Sequence, residues 1–212
     1  IRGYDLGSMI GQGAFGEVYH AQQPGVGRPV AVKKIRSRFA NQPEFIRRFE
    51  AEAQLVARLE HPYIVPLYDY WRDADTGSAY LVMRYLRGGN LRDWVKEGPL
   101  TPEAALRVVE QLARALDLAH RHDIVHRDIK PSNLVACRMG LAVDFVKVLD
   151  FGLVKMASEQ GAEAANLTSP NVTTGTPAYM PPEIALGNRP IDGRADLYAL
   201  GCVAYWLLTG RT

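Results

Sequence analysis

Cysteine is scarce in this chain of 212 residues: Cys137 and Cys202 stand far apart, with no CxxC spacing and no histidine cluster beside either. That excludes a disulfide framework and a zinc knuckle, and it fits a reducing compartment. Long apolar runs are missing too. The longest, around Cys202–Leu208, falls far short of the roughly 20 residues a transmembrane helix needs. The opening Ile1-Arg2-Gly3-Tyr4-Asp5 carries no signal-peptide pattern. Neither sign of charge dominates: 25 Lys and Arg against 23 Asp and Glu leave a net charge of +2, too balanced to suggest a nucleic-acid partner. No repeat, low-complexity tract or GxxxxGK[ST] motif occurs, and the last absence excludes a P-loop ATPase. With 47% hydrophobic and 23% charged residues, what remains is a globular chain with a real core. A cytoplasmic location, with no membrane contact from this segment, is the expectation.

The chain changes character near residue 85. Before it, β-type runs alternate with turns: Tyr4–Ile10 and Glu17–Ala21 flank a glycine-rich turn, and Pro29–Ile35 is a β-branched run after Pro24-Gly25-Val26-Gly27. Asn41 and Glu44, three apart, read as a capping box that opens a helix over 43–59, with Phe45, Phe49, Val56 and Leu59 on one face. Strand-like runs follow at Ile64–Trp71 and Ala79–Tyr85. After residue 90 helices dominate. Thr101-Pro102-Glu103 is an N-cap, a proline at the first helical position and a first-turn acid. Leu106, Val109, Ala113, Leu116 and His120 then trace the face expected to be buried. Short strands at Leu134–Ala136 and Val146–Leu149 precede a polar stretch from Ala157 to Thr176, too long for an ordinary connector. A last helix spans Arg194–Leu208.

Four segments carry chemistry. Gly11-Gln12-Gly13-Ala14-Phe15-Gly16-Glu17-Val18 is a GxGxxGxV run leading into a strand, not the helix that a Rossmann turn opens. A hairpin tip without side chains can lay backbone N–H groups over phosphates, although a bare hairpin turn has the same letters. Lys33 closes a β-branched run, where a lysine is ordinarily a solvated edge residue. An ion pair with Glu52 on the next helix, Glu50 being the nearest competitor, would fix its ammonium for α/β-phosphate oxygens. His126-Arg127-Asp128-Ile129-Lys130-Pro131-Ser132-Asn133 places an acid, a cation and an amide in one loop. There Asp128 can accept or orient a hydroxyl proton, Lys130 can neutralise charge on a moving phosphoryl group, and Asn133 can bind a metal. Asp150-Phe151-Gly152 then presents a carboxylate at a strand end, a good Mg²⁺ ligand.

In this order, with Leu81–Leu91, Gly175–Glu183 and Asp192–Gly201 continuing it, the sequence resembles the eukaryotic-type (Hanks-type) protein kinase family over essentially all 212 residues. Lys130-Pro131-x-Asn133 and Gly175-Thr176-Pro177 are similar to its serine/threonine branch, and the C-terminal half is most similar to bacterial members. The resemblance implies an α+β, two-lobed protein-kinase-like fold: a small β-rich N-lobe with one helix (1–83), a hinge (84–90) and a mainly helical C-lobe (91–212) with an activation segment at 150–183. It implies ATP in the cleft between lobes, covered by Ile10, Gly11, Gly13, Gly16 and Val18. Ala31 and the gatekeeper Met83 would line the site, with the hinge at Arg84, Tyr85 and Leu86. Lys33 with Glu52, Asp128 and Lys130 would be the catalytic set, and Asn133 and Asp150 would hold Mg²⁺, with Mn²⁺ as the alternative ion. The implied partners are ATP and protein substrates with Ser/Thr acceptors; autophosphorylation and self-association are further expectations.

The departures are local. Arg84 stands where the family more often has an acid, Pro181 replaces the alanine of Ala-Pro-Glu, and Asn90 either contacts ribose or caps the following helix. Asp196 is expected to brace the catalytic loop. Arg127 and Lys155 would pair with a phosphate on Thr168, Ser169, Thr173 or Thr174. By resemblance the C-lobe continues past the last helix, so the chain is expected to be a kinase domain incomplete at its C-terminus. Its apolar run Leu197–Leu208 would then be exposed, and an anchor elsewhere in the parent chain stays open. The rival reading is a catalytically impaired kinase-fold module for nucleotide binding or scaffolding. A small-molecule phosphotransferase is disfavoured by the peptide-docking segment 175–183.

Overall fold

The computed structural model describes residues 1–13, 15–139, 142–151, 177–186 and 191–212. It divides into two compact units, one of Ile1–Glu60 with Val65–Leu86, the other of His61–Ile64 with the described residues from Arg87 onward.

The first unit is built on a five-stranded antiparallel sheet. Its strands are β1 (Asp5–Gln12), β2 (Gly16–Gln22), β3 (Pro29–Ile35), β4 (Leu67–Arg72) and β5 (Ala79–Arg84), in the order β1-β2-β3-β5-β4. β3 begins and ends as the β-branched run predicts, because proline needs no ladder donor at a first strand position. Register sorts the side chains onto two faces. Val30 and Val32 of β3, Tyr80 and Val82 of β5, Ala21 of β2 and Trp71 of β4 form one buried cluster with Tyr4. Tyr4 stacks on Trp71 at 5.7 Å between centroids, and Trp71 on Tyr80 at 4.9 Å. The opposite face receives helix α2 (Pro43–Ala57), whose Phe45, Phe49, Ala53 and Val56 are buried and whose Phe49 ring meets Tyr70 of β4.

The cap expected at Asn41 does not form, and the side chain of Glu44 lies outside the described ones. Gln42 is the N-cap of α2 and makes no side-chain capping bond. Asn41 instead ends a short helix, α1 (Ser37–Ala40), and its Oδ1 accepts a 2.8 Å bond from Arg72 Nη2. A partner on β4 outbids the local backbone for the same amide, a competition that sequence spacing does not register.

The second unit combines a three-stranded antiparallel sheet, β6 (Gly88–Asn90), β7 (Leu134–Met139) and β8 (Ala142–Val148), with helices α3 (Leu91–Trp94), α4 (Pro102–Arg121), α5 (Pro182–Ala185) and α6 (Gly193–Thr209). Thr101 caps α4 by accepting from Ala104 N–H, as expected. Asn90 resolves to a cap: its Oδ1 accepts from Asp93 N–H while Asp93 Oδ2 accepts from Asn90 N–H. The buried face of α4 is not the expected one. Ala105, Val108, Leu112, Ala115, Leu116 and Ala119 are buried, and Leu106 is 67% exposed. The helix carries two adjoining apolar stripes, and the alanine-rich one lets α6 and β8 approach closely. On α6, Ala195, Ala199, Leu200, Val203, Trp206 and Leu207 are buried while Leu197, Tyr198, Tyr205 and Leu208 are exposed. It ends on Gly210, whose φ of 69° is the left-handed cap that glycine takes without strain. No described helix is long and apolar enough to cross a membrane.

Candidate active site

In the first unit, strand register does the positioning. Lys33 pairs with Val18 on β2 and Leu81 on β5, and Ala31 pairs with His20 and Met83. Cross-strand partners point to the same face, so Val18, Ala31, Lys33 and Met83 share one face. It is the face that α2 covers. Glu52 is half-buried beside the buried Phe49, Ala53 and Val56, whereas Glu50 is exposed, which favours Glu52 over its competitor.

The glycine-rich hairpin separates its glycines by role. Gly16 is demanded by the fold: a Cβ there would collide with the carbonyl oxygen of Lys34 on β3. Gly13 donates its N–H to the Gly16 carbonyl at 2.9 Å, closing the turn, yet a Cβ on Gly13 would meet nothing within 4 Å. At Gly11 a Cβ would meet only the Val18 side chain at ordinary contact distance. Neither Gly11 nor Gly13 has a positive φ. Packing and backbone conformation therefore do not require these two glycines; what they leave is open space over a strand pair. Ile10 is 45% exposed beside them. Tyr85 and Leu86, half-buried, follow β5, and the His20 ring meets the Tyr85 ring edge-on at 4.7 Å between centroids.

In the second unit, the loop from His126 to Asn133 is held by polar contacts instead of a ladder. Asp196, on α6 and 1% exposed, accepts from the backbone N–H of His126 at 2.7 Å and of Arg127 at 2.8 Å. Its Oδ2 also meets His120 Nε2 at 2.8 Å. The expected brace is thus present, with His120 as a member that the sequence did not suggest. His126 is fully buried. Its Nε2–H donates to the Leu149 carbonyl at 2.7 Å, and its Nδ1 accepts from Asp128 N–H at 3.2 Å. Both partners select the neutral tautomer, and burial pushes the imidazole below its ordinary value.

The same loop gathers the candidate side chains Asp128, Lys130 and Asn133. Asp128 Oδ2 lies 2.8 Å from Lys130 Nζ and accepts from Asn133 Nδ2 at 2.9 Å; that amide also donates to the Asp128 carbonyl at 2.8 Å. Leu149 N–H donates to the Asn133 carbonyl at 2.9 Å. Residue 149 is therefore tied to the loop through both backbone groups, and Asp150 follows it directly in the chain. Arg127 and Asp150 both sit in the left-handed region, at φ 65° and 54°. Because the Asn133 nitrogen is engaged with Asp128, its Oδ1 is the atom left to accept a cation. An amide oxygen with the Asp150 carboxylate is a hard oxygen donor pair, which fits Mg²⁺ or Mn²⁺.

The protein kinase domain model matches residues 4–212. The chain belongs to the protein kinase family. Among similar proteins, the serine/threonine-protein kinase Pkn1 of Myxococcus xanthus is 44% identical over 98% of this chain and 29% of its own length. The serine/threonine-protein kinase PknB of Mycobacterium tuberculosis is 41% identical over 98% of this chain and 32% of its own. The chain spans about 30% of the length of such curated relatives. The crystal structure of the PknI kinase domain from M. tuberculosis aligns with a TM-score of 0.75 at 32% identity, covering 97% of this chain and 72% of that one. The α+β kinase fold and the Hanks-type, bacterial character expected from the motifs are both borne out.

Other positioning contacts in this kinase domain were not foreseen. Gln111 Oε1 on α4 accepts from Val146 N–H of β8 at 2.8 Å. Lys147, 3% exposed, donates to the carbonyl oxygens of Pro62 and Ile64. These pairs lie tens of residues apart and follow no period, so no local pattern announces them. The activation-segment residues Lys155, Thr168, Ser169, Thr173 and Thr174 lie outside the described residues.

Proposed function

We propose that this kinase domain transfers the γ-phosphate of ATP to Ser/Thr hydroxyls of protein substrates, its own activation segment among them. The observation that carries the reading is the catalytic loop: Asp128 held at one carboxylate oxygen by Lys130 and Asn133, on a backbone fastened to buried Asp196. An acid so fixed orients an incoming hydroxyl and takes its proton as the bond to phosphorus forms. Lys130, 2.8 Å from that acid, neutralises charge on the moving phosphoryl group. Lys33, paired with Glu52, holds phosphate oxygens, and the backbone over Gly11–Gly16 covers them where Gly11 and Gly13 leave room. Ala31, Val18 and Ile10 give the adenine an apolar surface, and Met83, Tyr85 and Leu86 border it. Asn133 and Asp150 would hold Mg²⁺, or Mn²⁺ in its place, which when bound draws charge off the phosphates. Catalysis on this plan is positioning and charge neutralisation, with little covalent work for the protein.

The test is incubation of the chain with labelled ATP, Mg²⁺ and a generic basic protein, beside Asp128→Asn, Lys33→Met and Asp150→Asn. Label should enter serine and threonine, and each variant should lose about two to four orders of magnitude of turnover. Turnover within about threefold of wild type in any of the three would remove that residue from the site.

A further inference from the structure

Neither Phe39 nor Arg72 belongs to the motifs read from the sequence, yet both bear on the glycine-rich turn between β1 and β2. Glycine leaves that turn conformationally loose, and packing demands neither Gly11 nor Gly13. The restraint comes through Phe15. Its carbonyl accepts from Arg36 N–H at 3.0 Å, and its ring meets the Phe39 ring of α1 with 5.3 Å between centroids, tilted at 56°. Both rings are half-buried, and the Arg38 guanidinium lies over Phe39 at 4.7 Å from the ring centroid. The other end of α1 is fastened to β4. Arg72 donates through Nε to the Ala40 carbonyl at 3.2 Å and through Nη2 to Asn41 Oδ1 at 2.8 Å. The Asn41 amide lies so close to Gly77, in the turn between β4 and β5, that a Cβ there would collide with it. Strand order puts the β1–β2 hairpin at one edge of the sheet and β4 at the other. The short helix α1, which begins two residues after the central strand β3, therefore bridges the glycine-rich turn to the opposite edge.

We propose that α1 is a strap that holds the glycine-rich turn ready over the nucleotide phosphates, with Phe39 and Arg72 as its two positioning residues. Backbone N–H groups bind phosphate oxygens well only if they are already in place, because ordering a glycine turn at the moment of binding subtracts from affinity. The Phe15–Phe39 ring pair removes part of that freedom beforehand. Its grip depends on α1 being immobile, and Arg72 supplies this through two donors of one rigid guanidinium. The Arg36 bond alone does not suffice: it extends the β2–β3 ladder by one step past the Gly16–Ile35 pair and leaves the Phe15 side chain free to turn. The strap acts on the phosphate end of the ligand and not on the base. The inference rests on the reading that this turn covers the phosphates of ATP.

The experiment has two arms on the full chain, with Phe39→Ala, Phe39→Tyr and Arg72→Met beside the wild type. Phe39 is half-buried, so truncating it leaves the core of the sheet intact even if Arg72→Met fails to fold. In the first arm, calorimetry gives Kd for ATP with Mg²⁺ and for adenosine, which has no phosphate. Phe39→Ala and Arg72→Met should weaken ATP about fivefold, the value of one aromatic pair, and leave adenosine within about twofold. Phe39→Tyr, which keeps the ring, should match the wild type. Equal weakening of both ligands, tighter ATP binding, or no change in either truncation overturns the proposal. In the second arm, amide hydrogen exchange is followed by NMR without nucleotide. The Arg36 and Gly13 amides, bonded to the Phe15 and Gly16 carbonyls, should exchange about fivefold faster in the two truncations, while Val32 within β3 keeps its rate. Equal acceleration at Val32, or none at Arg36, overturns it as well. A chain that bound no ATP would sink the phosphotransfer reading, and the exchange arm would still decide whether the strap holds the turn.

Discussion

The two units place their candidate site residues by different physics. In the first, Val18, Ala31, Lys33 and Met83 reach one face because strands alternate and ladders lock the register. In the second, Asp128 and Asn133 lie in a loop whose geometry is set by single side chains reaching from far along the chain: Asp196 to residues 126 and 127, and His126 to residue 149. A ladder distributes the task over many equivalent bonds. A polar brace concentrates it in one carboxylate. The sheet should therefore tolerate changes that keep shape, and the loop should not.

The sharpest way to break this contrast is a pair of substitutions that conserve volume. Asp196→Asn keeps size but turns an N–H group toward N–H donors, and should cost about 3 kcal/mol and at least a hundredfold in turnover. Ile35→Leu, fully buried in β3, should cost less than about 1.5 kcal/mol and leave turnover nearly intact. Urea unfolding and labelled-ATP turnover on both proteins decide it; equal losses would mean that the units are held alike.

A somewhat smaller effect probes the ladder where it has no slack. Gly16→Ala forces a methyl group into the Lys34 carbonyl, so β2 must move off β3 at its end. The expected cost is about 1–3 kcal/mol, with weakened ATP binding measured by calorimetry. Gly13→Ala, with open space above it, should leave stability unchanged within about 0.5 kcal/mol and still weaken ATP. If both glycines behaved alike, the division between structural and ligand-facing glycine would be wrong.

Acid sharpens the comparison from the other side. Burial lowers the folded-state value of His126, so between that value and about 6.5 the unfolded chain binds the extra proton. The stability His126 contributes is present above about pH 6.5 and drains away as pH falls. His61, lowered by burial and by the Lys147 and Arg114 charges, adds in the same direction. Melting temperature followed by near-ultraviolet circular dichroism should drop on acidification from about pH 7.5 to 5.5. A curve that is flat or rises there contradicts the neutral tautomer. The smallest effect belongs to a local cap: Asn90→Ala removes one half of a reciprocal pair and should cost about 1 kcal/mol in urea unfolding, with turnover unchanged.

What could be read in the sequence follows the same divide. β3, the Thr101 cap and the α6 run were legible because strand period, capping residues and apolar continuity are local signals. Asn41 misled because Arg72, thirty-one residues away, takes its side-chain oxygen. The buried face of α4 came out one stripe away from expectation because two apolar stripes adjoin, and only the approach of α6 and β8 chooses between them. Asp196 was visible through family likeness alone. Gln111 and Lys147 were visible by no route, since a side chain that serves a distant backbone leaves no spacing behind.

The left-handed backbone at Arg127 and Asp150 has a thermodynamic consequence for the history of such a chain. Each non-glycine residue in that region costs roughly 1–2 kcal/mol relative to the right-handed alternative, a cost that glycine largely escapes. Selection for thermostability alone would therefore drift toward glycine at 127 and 150, and every step of that drift would erase a charged side chain. The chain keeps an arginine and an aspartate there at the expense of a fold less stable than its own backbone would permit. Screening such a domain for heat resistance alone would thus press on two positions where a gain in melting temperature is the loss of a charged side chain.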